Sequence, residues 1–455
     1  MAKSNVAKRN AAMQKVYDDS RKIRAVYAGT DSMRKAGKTY LPKKEAESEE
    51  AYKVRLAQSE LYNKLADTIH TTAGKLFADP VVPNEGFQEP EILNTIDSEG
   101  RDITRFGMDW LLDASQPGVS YALADYPTGE TGLTREQEQA MGLRPYASII
   151  KQENILSFDS EFVGANRVLT RVNIFEQVQE EGEDEFDEKF VDQIRVLRLR
   201  DGVMTFELWR KPEGKDWQIY QDETPTTMTA IPLVPLYTKR TGYMTGECPY
   251  EDIADLNITH WQSGSSQRHI LDFVRFPVLF GKGLMLDSEG SVEYGANRLI
   301  MGNADENSDL KHVEHSGAGI EAGERDLESL EQQMDALSKQ VLTRRTGNVT
   351  ATARAIDESS SSTDIQALAN IVENALNRLI EYMGMWAGKE YGTVSLSADF
   401  SLSAGGEKDI EALQFAVQSR FLSGQEYMAE MVRRGIKKEY DFEADQTFIE
   451  TGLIE

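Results

Sequence analysis

The chain has 455 residues, of which 40% are hydrophobic and 28% are charged. At about 150 residues per domain, this length predicts about three structural units in an ordinary folded protein. With 76 acidic and 50 basic residues the formal charge is −26, which argues against a protein that coats nucleic acid or anionic membranes over its whole surface.

The single cysteine, Cys248, excludes an internal disulfide and a cysteine metal cluster. The start is polar and lacks the apolar segment of a secretory signal, and no run approaches the ~18 apolar residues of a membrane span. We therefore expect synthesis and folding in a cytoplasm.

The first 55 residues are the basic part of an acidic chain, with fourteen Lys and Arg against seven Asp and Glu. Val16, Ile23 and Val26, set among basic side chains, predict an amphipathic helix that ends near Gly29. Its basic face is either a solvated structural surface or a surface that meets a phosphate backbone or an acidic partner.

The next elements are two helices and a sheet. Residues 45–77 predict one long helix that ends before Pro80, and a further helix is predicted at about 102–115. Between about 146 and 240 the hydrophobic period changes to alternation, which predicts an antiparallel sheet, with Asp201-Gly202 as a two-residue hairpin turn.

A second helical part follows the sheet. It begins with a helix at about 250–272 and a Gly-rich, strand-like stretch up to 321. The next helix, at about 322–343, carries a narrow apolar seam at spacings of three and four, which suits packing against copies of itself or one neighbour. The seam residues are Leu327, Leu330, Met334, Leu337 and Val341.

The C-terminal part begins at a polar break that includes Arg344 and Arg345. A long helix is predicted through about 363–388, followed by an alternating strand at 394–402. Two modest helices are predicted at about 407–420 and 424–434.

Local signatures of the common enzyme chemistries do not occur in the sequence. It has no GxxxxGK[ST], GxGxxG after a strand, HExxH, GxSxG or paired CxxC. His312 and His315 lack an evident third ligand, so we expect neither a metal site nor a cofactor. The simplest inference is a non-enzymatic chain.

The order of segments between about 230 and 435 carries a resemblance to a known family. TGECPYEDIADLNITHWQSGSSQRHILDFVRFPVLFGKG is followed by a Gly-rich insert and then by LSKQVLTRRTGNVTATARAIDESSSSTDIQALANIVENAL. This order resembles the portal proteins of tailed bacteriophages, in particular a subgroup filed as a domain of unknown function. The segment that begins YAGTDSMRKAGKTYLPKK resembles the start of that subgroup, so the resemblance covers most of the chain.

The resemblance implies an α+β subunit of a ring with about twelve copies, located in the virion at one capsid vertex. Double-stranded DNA would pass through the ring during packaging and ejection. The terminase large subunit and a head-tail adaptor protein would dock on the ring. The resemblance implies no contact with a membrane. The implied parts are a mixed α/β wing at 1–249, stem helices at 250–272 and 322–343 around a small β-containing clip at 273–321, a tunnel loop at 344–362, a long spine helix at 363–392, and a strand with a short helical crown at 393–455.

On this interpretation Arg344 and Arg345, with Lys339 as a weaker candidate, contact DNA in the channel, and the apolar seam lies between subunits. The arginines could instead pair with acids such as Glu358 or with a neighbouring subunit. The basic N-terminal segment has no counterpart in the portal plan, and we expect it to contact the major capsid protein, the scaffold or packaged DNA.

Two alternatives remain open at this point. One is another capsid or tail-connector ring protein that does not translocate DNA. The other is an enzyme whose site is assembled from scattered residues, which the acidic chain disfavours for anionic substrates.

Overall fold

A computed structural model of the chain describes a mixed α+β fold, which confirms the predicted fold class. All the strand pairs that it describes are antiparallel. None of the described helices is both long and apolar enough to span a bilayer. The described residues are 5–127, 141–181, 188–275, 278–282, 309–313, 318–342 and 351–396, with six isolated positions beyond 396.

The N-terminal segment forms four helices: α1 (Ala11–Tyr27), α2 (Thr30–Ala36), α3 (Glu49–Gln58) and α4 (Lys64–Leu76). The side chain of Asn10 accepts a hydrogen bond from the backbone N–H of Met13, which caps the start of α1. Gly29 follows α1 with a φ of +87°, so the predicted end of this helix is confirmed.

The prediction of one helix over residues 45–77 is wrong, because α3 ends at Gln58 and α4 begins at Lys64. Ser59 takes an extended conformation, and its hydroxyl bonds back to the carbonyl of Arg55 at 2.7 Å. Asn63 caps α4 by accepting from the N–H of Ala66 at 3.1 Å. Both polar side chains therefore favour a helix boundary over a continuous helix.

The main core surrounds a three-stranded sheet. Helix α5 (Ile103–Ala114) leads into the central strand β2 (Val119–Asp125), which pairs with β3 (Tyr146–Ile150) and β9 (Leu233–Tyr237). The first six residues of β2 are buried. Gly118 precedes β2 with a φ of +84°, and a Cβ there would overlap the backbone of Glu247, so only glycine fits.

A five-stranded antiparallel sheet lies between β3 and β9 in the sequence. Asp201 and Gly202, with φ of 49° and 79°, connect its third and fourth strands and confirm the predicted hairpin turn. The strands, in both sequence and spatial order, are β4 (Ile155–Val163), β5 (Asn166–Glu181), β6 (Glu188–Arg200), β7 (Val203–Lys211) and β8 (Gln218–Pro225).

Three long helices dominate the remaining described residues: α6 (Glu251–Arg275), α7 (Ala318–Leu342) and α8 (Ala351–Ala387). Helix α8 contacts all three strands of the central sheet. The shorter described strands form three antiparallel pairs. These are β1 (Val81–Pro83) with β14 (Val394–Leu396), β10 (Arg240–Gly242) with β11 (Thr245–Gly246), and β12 (Val278–Lys282) with β13 (Asp309–Val313).

Helix α8 begins at Ala351, whereas the sequence predicted a start near residue 363. The stretch ATARAIDESSSS contains neither glycine nor proline, so the cost of helix propagation through it is small. The predicted strand beyond Leu396 and the two predicted crown helices fall outside the described residues, apart from the isolated positions.

Candidate functional site: the helix hairpin

Helices α6 and α7 pack side by side in antiparallel directions. His260 Nε2 lies 3.2 Å from Glu331 Oε1, and further along α6 Gln267 donates to the carbonyl of Ile320 at 2.9 Å. As the residue number rises on α6 it falls on α7, which gives the opposite directions. The β12–β13 hairpin lies in the chain between the end of α6 and the start of α7.

The predicted seam on α7 is only partly available to a neighbouring subunit. Met334 is fully buried and Leu330 is 7% exposed, while Leu337 packs on the core that contains Trp261 of α6. Leu330 and Met334 therefore pack within the same chain, which is the one-neighbour alternative, and no described contact supports their assignment to an interface between subunits.

The remaining predicted site residues are less well described. Leu327 is half-buried and lies near Gly264 of α6. Lys339 and Val341 fall within α7, but their side chains lie outside the described part of the structure. Arg344 and Arg345 lie outside the described residues altogether, so their proposed DNA contact stays a prediction.

Buried polar side chains connect α4, α6 and α7. Asn257 is fully buried, and its carbonyl accepts from the N–H of Leu65 at 2.9 Å while its amide lies 3.2 Å from Met334 Sδ. The hydroxyls of Thr68 and Ser338 are 2.7 Å apart. Buried polar groups are stable only with such partners, so these contacts select one arrangement of the three helices.

Sequence reasoning missed these polar contacts, although a signal was present. Asn257 and Ser338 interrupt helix faces that are otherwise apolar at helical spacing. Gly323 is a further such signal, because a Cβ there would overlap the side chain of Gln267. The helices therefore approach closely at that point.

The outward side of α7 is acidic. Between Ala318 and Ser338 the helix carries six carboxylates and one arginine. Three of the carboxylates bond to side chains of α4 or α6, including Asp335, which pairs with Lys64 at 2.9 Å. The others, Glu321, Glu324 and Glu328, are exposed.

A buried ion pair fixes the N-terminal segment against α6. Arg55 donates to both carboxylate oxygens of Glu47 at 2.6 and 2.8 Å, and both side chains are less than 10% exposed. Arg55 also donates to Ser265 Oγ of α6 at 3.2 Å. The guanidinium beside Glu47 lowers the pKa of that carboxyl group to about 2.

Other basic residues of the N-terminal segment are also paired within the chain. Lys22 lies 2.8 Å from Glu251 and 2.7 Å from Asp255, both on the first turns of α6. Arg24 lies 3.3 Å from Glu153. These pairs favour the structural interpretation of the basic face over a surface that is free to bind phosphate.

A cavity of about 1180 Å³ lies between the two sheets and the end of α8. Its half-buried Arg195 pairs with Asp125 and with Glu176. Burial alone would lower the pKa of Arg195, but these two carboxylates outweigh it and raise that pKa. Burial raises the pKa of the Cys248 thiol to about 12, so this thiol is a poor nucleophile at neutral pH. Within the described residues, no group of three His, Cys, Asp or Glu side chains is placed to hold a metal ion.

The helical part of the chain matches a described family. The model of a domain of unknown function, DUF4055, matches residues 249–387, a range that contains α6, the β12–β13 hairpin, α7 and α8. No curated protein matches the chain.

Two solved structures are similar to the chain at 13% sequence identity and a TM-score of 0.44. One is the neck of an empty GTA particle computed with C6 symmetry, where the match covers 81% of this chain and 88% of the other. The second is the neck of a native GTA particle computed with C12 symmetry, where the match covers 82% of this chain and 90% of the other.

Proposed function

We propose that the chain is the portal protein of a tailed bacteriophage or a phage-like particle, and that it belongs to the virion. About twelve copies form a ring at one capsid vertex. Double-stranded DNA passes through its channel during packaging and ejection, and the terminase large subunit and a head-tail adaptor dock on it. The proposal assigns no catalytic residue, metal or cofactor to the chain.

The observation that carries the proposal is the order of elements within residues 249–387. Two long antiparallel helices, α6 and α7, are connected through a two-stranded hairpin and followed by the 37-residue helix α8. This order agrees with the stem, clip, stem and spine that the sequence resemblance implies. The DUF4055 match ends where α8 ends, at residue 387.

The portal parts follow from these bounds. We assign α6 and α7 to the stem, the β12–β13 hairpin to the clip, and α8 to the spine. The tunnel loop shortens from the predicted 344–362 to residues 343–350, between α7 and α8. The wing comprises 1–249, and the strand and crown comprise 393–455.

The acidic side of α7 supports a conduit rather than a tight DNA-binding surface. Duplex DNA carries one charge per ~1.7 Å of axis, and each phosphate neutralised by a protein adds affinity through counterion release. A ring that exposes Glu321, Glu324 and Glu328 from each copy repels the duplex toward the axis. Arg344 and Arg345 of the tunnel loop supply weak contacts that are repeated around the ring.

The test is the double variant Arg344→Ala with Arg345→Ala, compared with wild type for ring assembly and for DNA packaged per capsid. We expect normal rings and reduced packaging. The matched control is Lys35→Ala with Lys53→Ala, which removes two exposed positive charges outside the helix hairpin and should package normally.

Each other outcome has a definite meaning. Unchanged packaging in the arginine variant would exclude the tunnel-loop assignment but not the ring. If the chain forms a ring but capsids package the same amount of DNA with and without it, the chain is a capsid or tail-connector component that does not translocate DNA. Wild-type chains that form no ring would contradict the portal proposal.

A further inference from the structure

The tip of the β4–β5 hairpin exposes two neighbouring apolar side chains. Phe162 is 74% exposed, more than any other large apolar side chain among the described residues, and Val163 is 63% exposed. Val163 pairs with Asn166, so the turn between the strands has only two residues. A hairpin that closes so tightly holds these side chains in place. We call residues 162–166 the hairpin tip.

The hairpin tip carries a cation on the face of Phe162. Phe162 and Arg167 lie directly opposite each other in the β4–β5 ladder, so they share a face, whereas the neighbouring Glu161 lies on the opposite face. Arg167 donates to the hydroxyl of Ser160 at 2.9 Å and forms no ion pair in the described part of the chain. An exposed aromatic ring beside an unpaired arginine is a composition typical of a protein interface.

The cavity between the two sheets offers a surface that suits this tip. Its volume of about 1180 Å³ equals that of a cube with an edge of roughly 10 Å, which is wide enough for a hairpin whose strands are about 4.8 Å apart. The half-buried Trp386, Phe206 and Leu208 line the cavity, as do the exposed Thr227 and Gly388. The cavity therefore opens to solvent and presents apolar and aromatic side chains to an incoming group.

Charged groups in the cavity wall are paired within the chain. Arg195 pairs with Asp125, and Lys389 pairs with Glu89. An apolar occupant therefore leaves these charges with their partners, and the wall does not need an ionic ligand to compensate them.

The rim of the cavity holds a carboxylate that suits the cation of the tip. Glu91 lines the cavity and is exposed, and it forms no ion pair among the residues that the structure describes. The second rim residue of this kind, Arg144, donates to the backbone carbonyls of Thr95 and Asp97. Glu91 is therefore available to pair with Arg167 of another copy.

The tip and the cavity are two different surfaces of one subunit. Phe162 is exposed in its own chain, so its own cavity does not cover it. A closed ring needs two such surfaces, because each copy presents one surface to the preceding copy and another to the next.

We propose that the hairpin tip of one copy inserts into the cavity of the next copy in the ring, with Phe162 as the apolar anchor and Arg167 paired with Glu91 at the rim. This inference rests on the proposed function, because it needs a ring. One contact of this kind covers the exposed tip and fills the cavity at the same time. A small apolar ligand would fill the cavity but would leave the tip exposed.

The first experiment is photo-crosslinking in the assembled ring. The photoreactive amino acid p-benzoylphenylalanine replaces Phe162, and in a control chain it replaces Phe190, which is 58% exposed at the opposite end of the same sheet. Denaturing electrophoresis separates the cross-linked copies, and mass spectrometry of their peptides identifies the attachment point. We expect position 162 to attach to the cavity wall of a neighbouring copy, and position 190 to give no attachment there.

The second experiment measures assembly. Phe162→Ala should raise the protein concentration at which half of the chains form rings by about tenfold or more, because truncation of an interface anchor has effects of this size. The matched control Phe190→Ala should assemble like wild type. Native mass spectrometry over a dilution series measures the ring fraction, and circular dichroism checks that both variants fold.

A charge swap tests the pair at the rim. Arg167→Glu should weaken assembly, because it places two carboxylates together, and Arg167→Glu with Glu91→Arg should restore it. A double variant that assembles no better than Arg167→Glu alone would overturn the pairing of these two residues.

The remaining outcomes decide between the two proposals. Cross-links from position 162 to another surface of the neighbouring copy or to DNA, or no cross-link in assembled rings, would overturn the insertion and leave the portal proposal intact. Rings of Phe162→Ala at wild-type concentrations would do the same. Wild-type chains that form no ring would overturn both.

Discussion

The core around the three-stranded sheet and the helix hairpin are stabilised in different ways. In the first region Phe106, Trp110 and Tyr121 have no exposed surface, and the favourable term is apolar burial. In the second region, Asn257 and the Thr68–Ser338 pair provide polar contacts in the interior. Polar contacts add about 1 kcal/mol each but fix one geometry, so the first region supplies stability and the second specifies how the helices align.

The largest expected effect is a cavity in the sheet core. Phe106→Ala should lower the free energy of unfolding by about 3–5 kcal/mol, because Phe106 is fully buried and packs at 6.2 Å from the ring centre of Trp110. Urea unfolding followed by circular dichroism measures the loss. The control Ile371→Ala removes a side chain that is 40% exposed on α8 and should cost about 1 kcal/mol or less. A similar loss in both variants would contradict the location of the core.

The next effect is the loss of the buried ion pair. Arg55→Ala leaves the Glu47 carboxylate buried without its partner and removes a hydrogen bond to Ser265. We expect a loss of about 3 kcal/mol, measured by the same unfolding experiment. The control Arg325→Ala breaks the exposed pair with Glu321, which contributes about 0–1 kcal/mol. Equal losses would show that the Arg55–Glu47 pair is exposed in solution.

The same pair predicts a pH dependence. The folded pKa of Glu47 is lowered to about 2, while the unfolded value is about 4.3. The stabilisation that ionised Glu47 contributes is therefore fully present above its unfolded pKa, and it is lost as the pH falls toward 2. The difference in unfolding free energy between wild type and Glu47→Gln should shrink between pH 5 and pH 2, and a difference that stays constant would contradict the pairing.

A smaller effect is expected within the helix hairpin. Asn257→Ala leaves the buried N–H of Leu65 without an acceptor and should cost about 1–3 kcal/mol. Asn370→Ala, at an exposed position of α8, is the control and should be nearly neutral. If both variants unfold at the same denaturant concentration, Asn257 does not connect α4 and α6.

The smallest expected change in stability distinguishes two glycines of the helix hairpin, Gly264 on α6 and Gly323 on α7. A Cβ at Gly264 would meet its nearest atom at 3.9 Å, whereas one at Gly323 would overlap Gln267. Gly264→Ala should therefore stabilise the chain by up to about 1 kcal/mol through helix propensity. Gly323→Ala should gain nothing or lose about 1 kcal/mol, because Gln267 must move away from the carbonyl of Ile320. Thermal unfolding of both variants measures this, and stabilisation by both would contradict the close approach.

The sequence predicted those features that depend on local pattern. The helix end near Gly29, the Asp201-Gly202 turn and the helices near 102–115 and 250–272 follow from caps, turn residues and periodicity, and the structure confirms them. The prediction of one helix over 45–77 was wrong, because Ser59 and Asn63 end one helix and start the next. The predicted start of α8 near residue 363 was also wrong, because the helix already begins at Ala351.

The candidate site was less predictable, because it depends on which faces meet. The narrow stripe with Leu330 and Met334 indicated one packing partner, but periodicity does not distinguish a neighbouring helix from a neighbouring subunit. That judgement requires tertiary structure.

The mass of the purified assembly, measured by native mass spectrometry with electron-microscope images of the same sample, tests the central claim most directly. The account predicts ring-shaped particles with an open axial channel and a mass near twelve times the 51.1 kDa of one chain. A chain that stays monomeric or dimeric at every concentration and salt would contradict it.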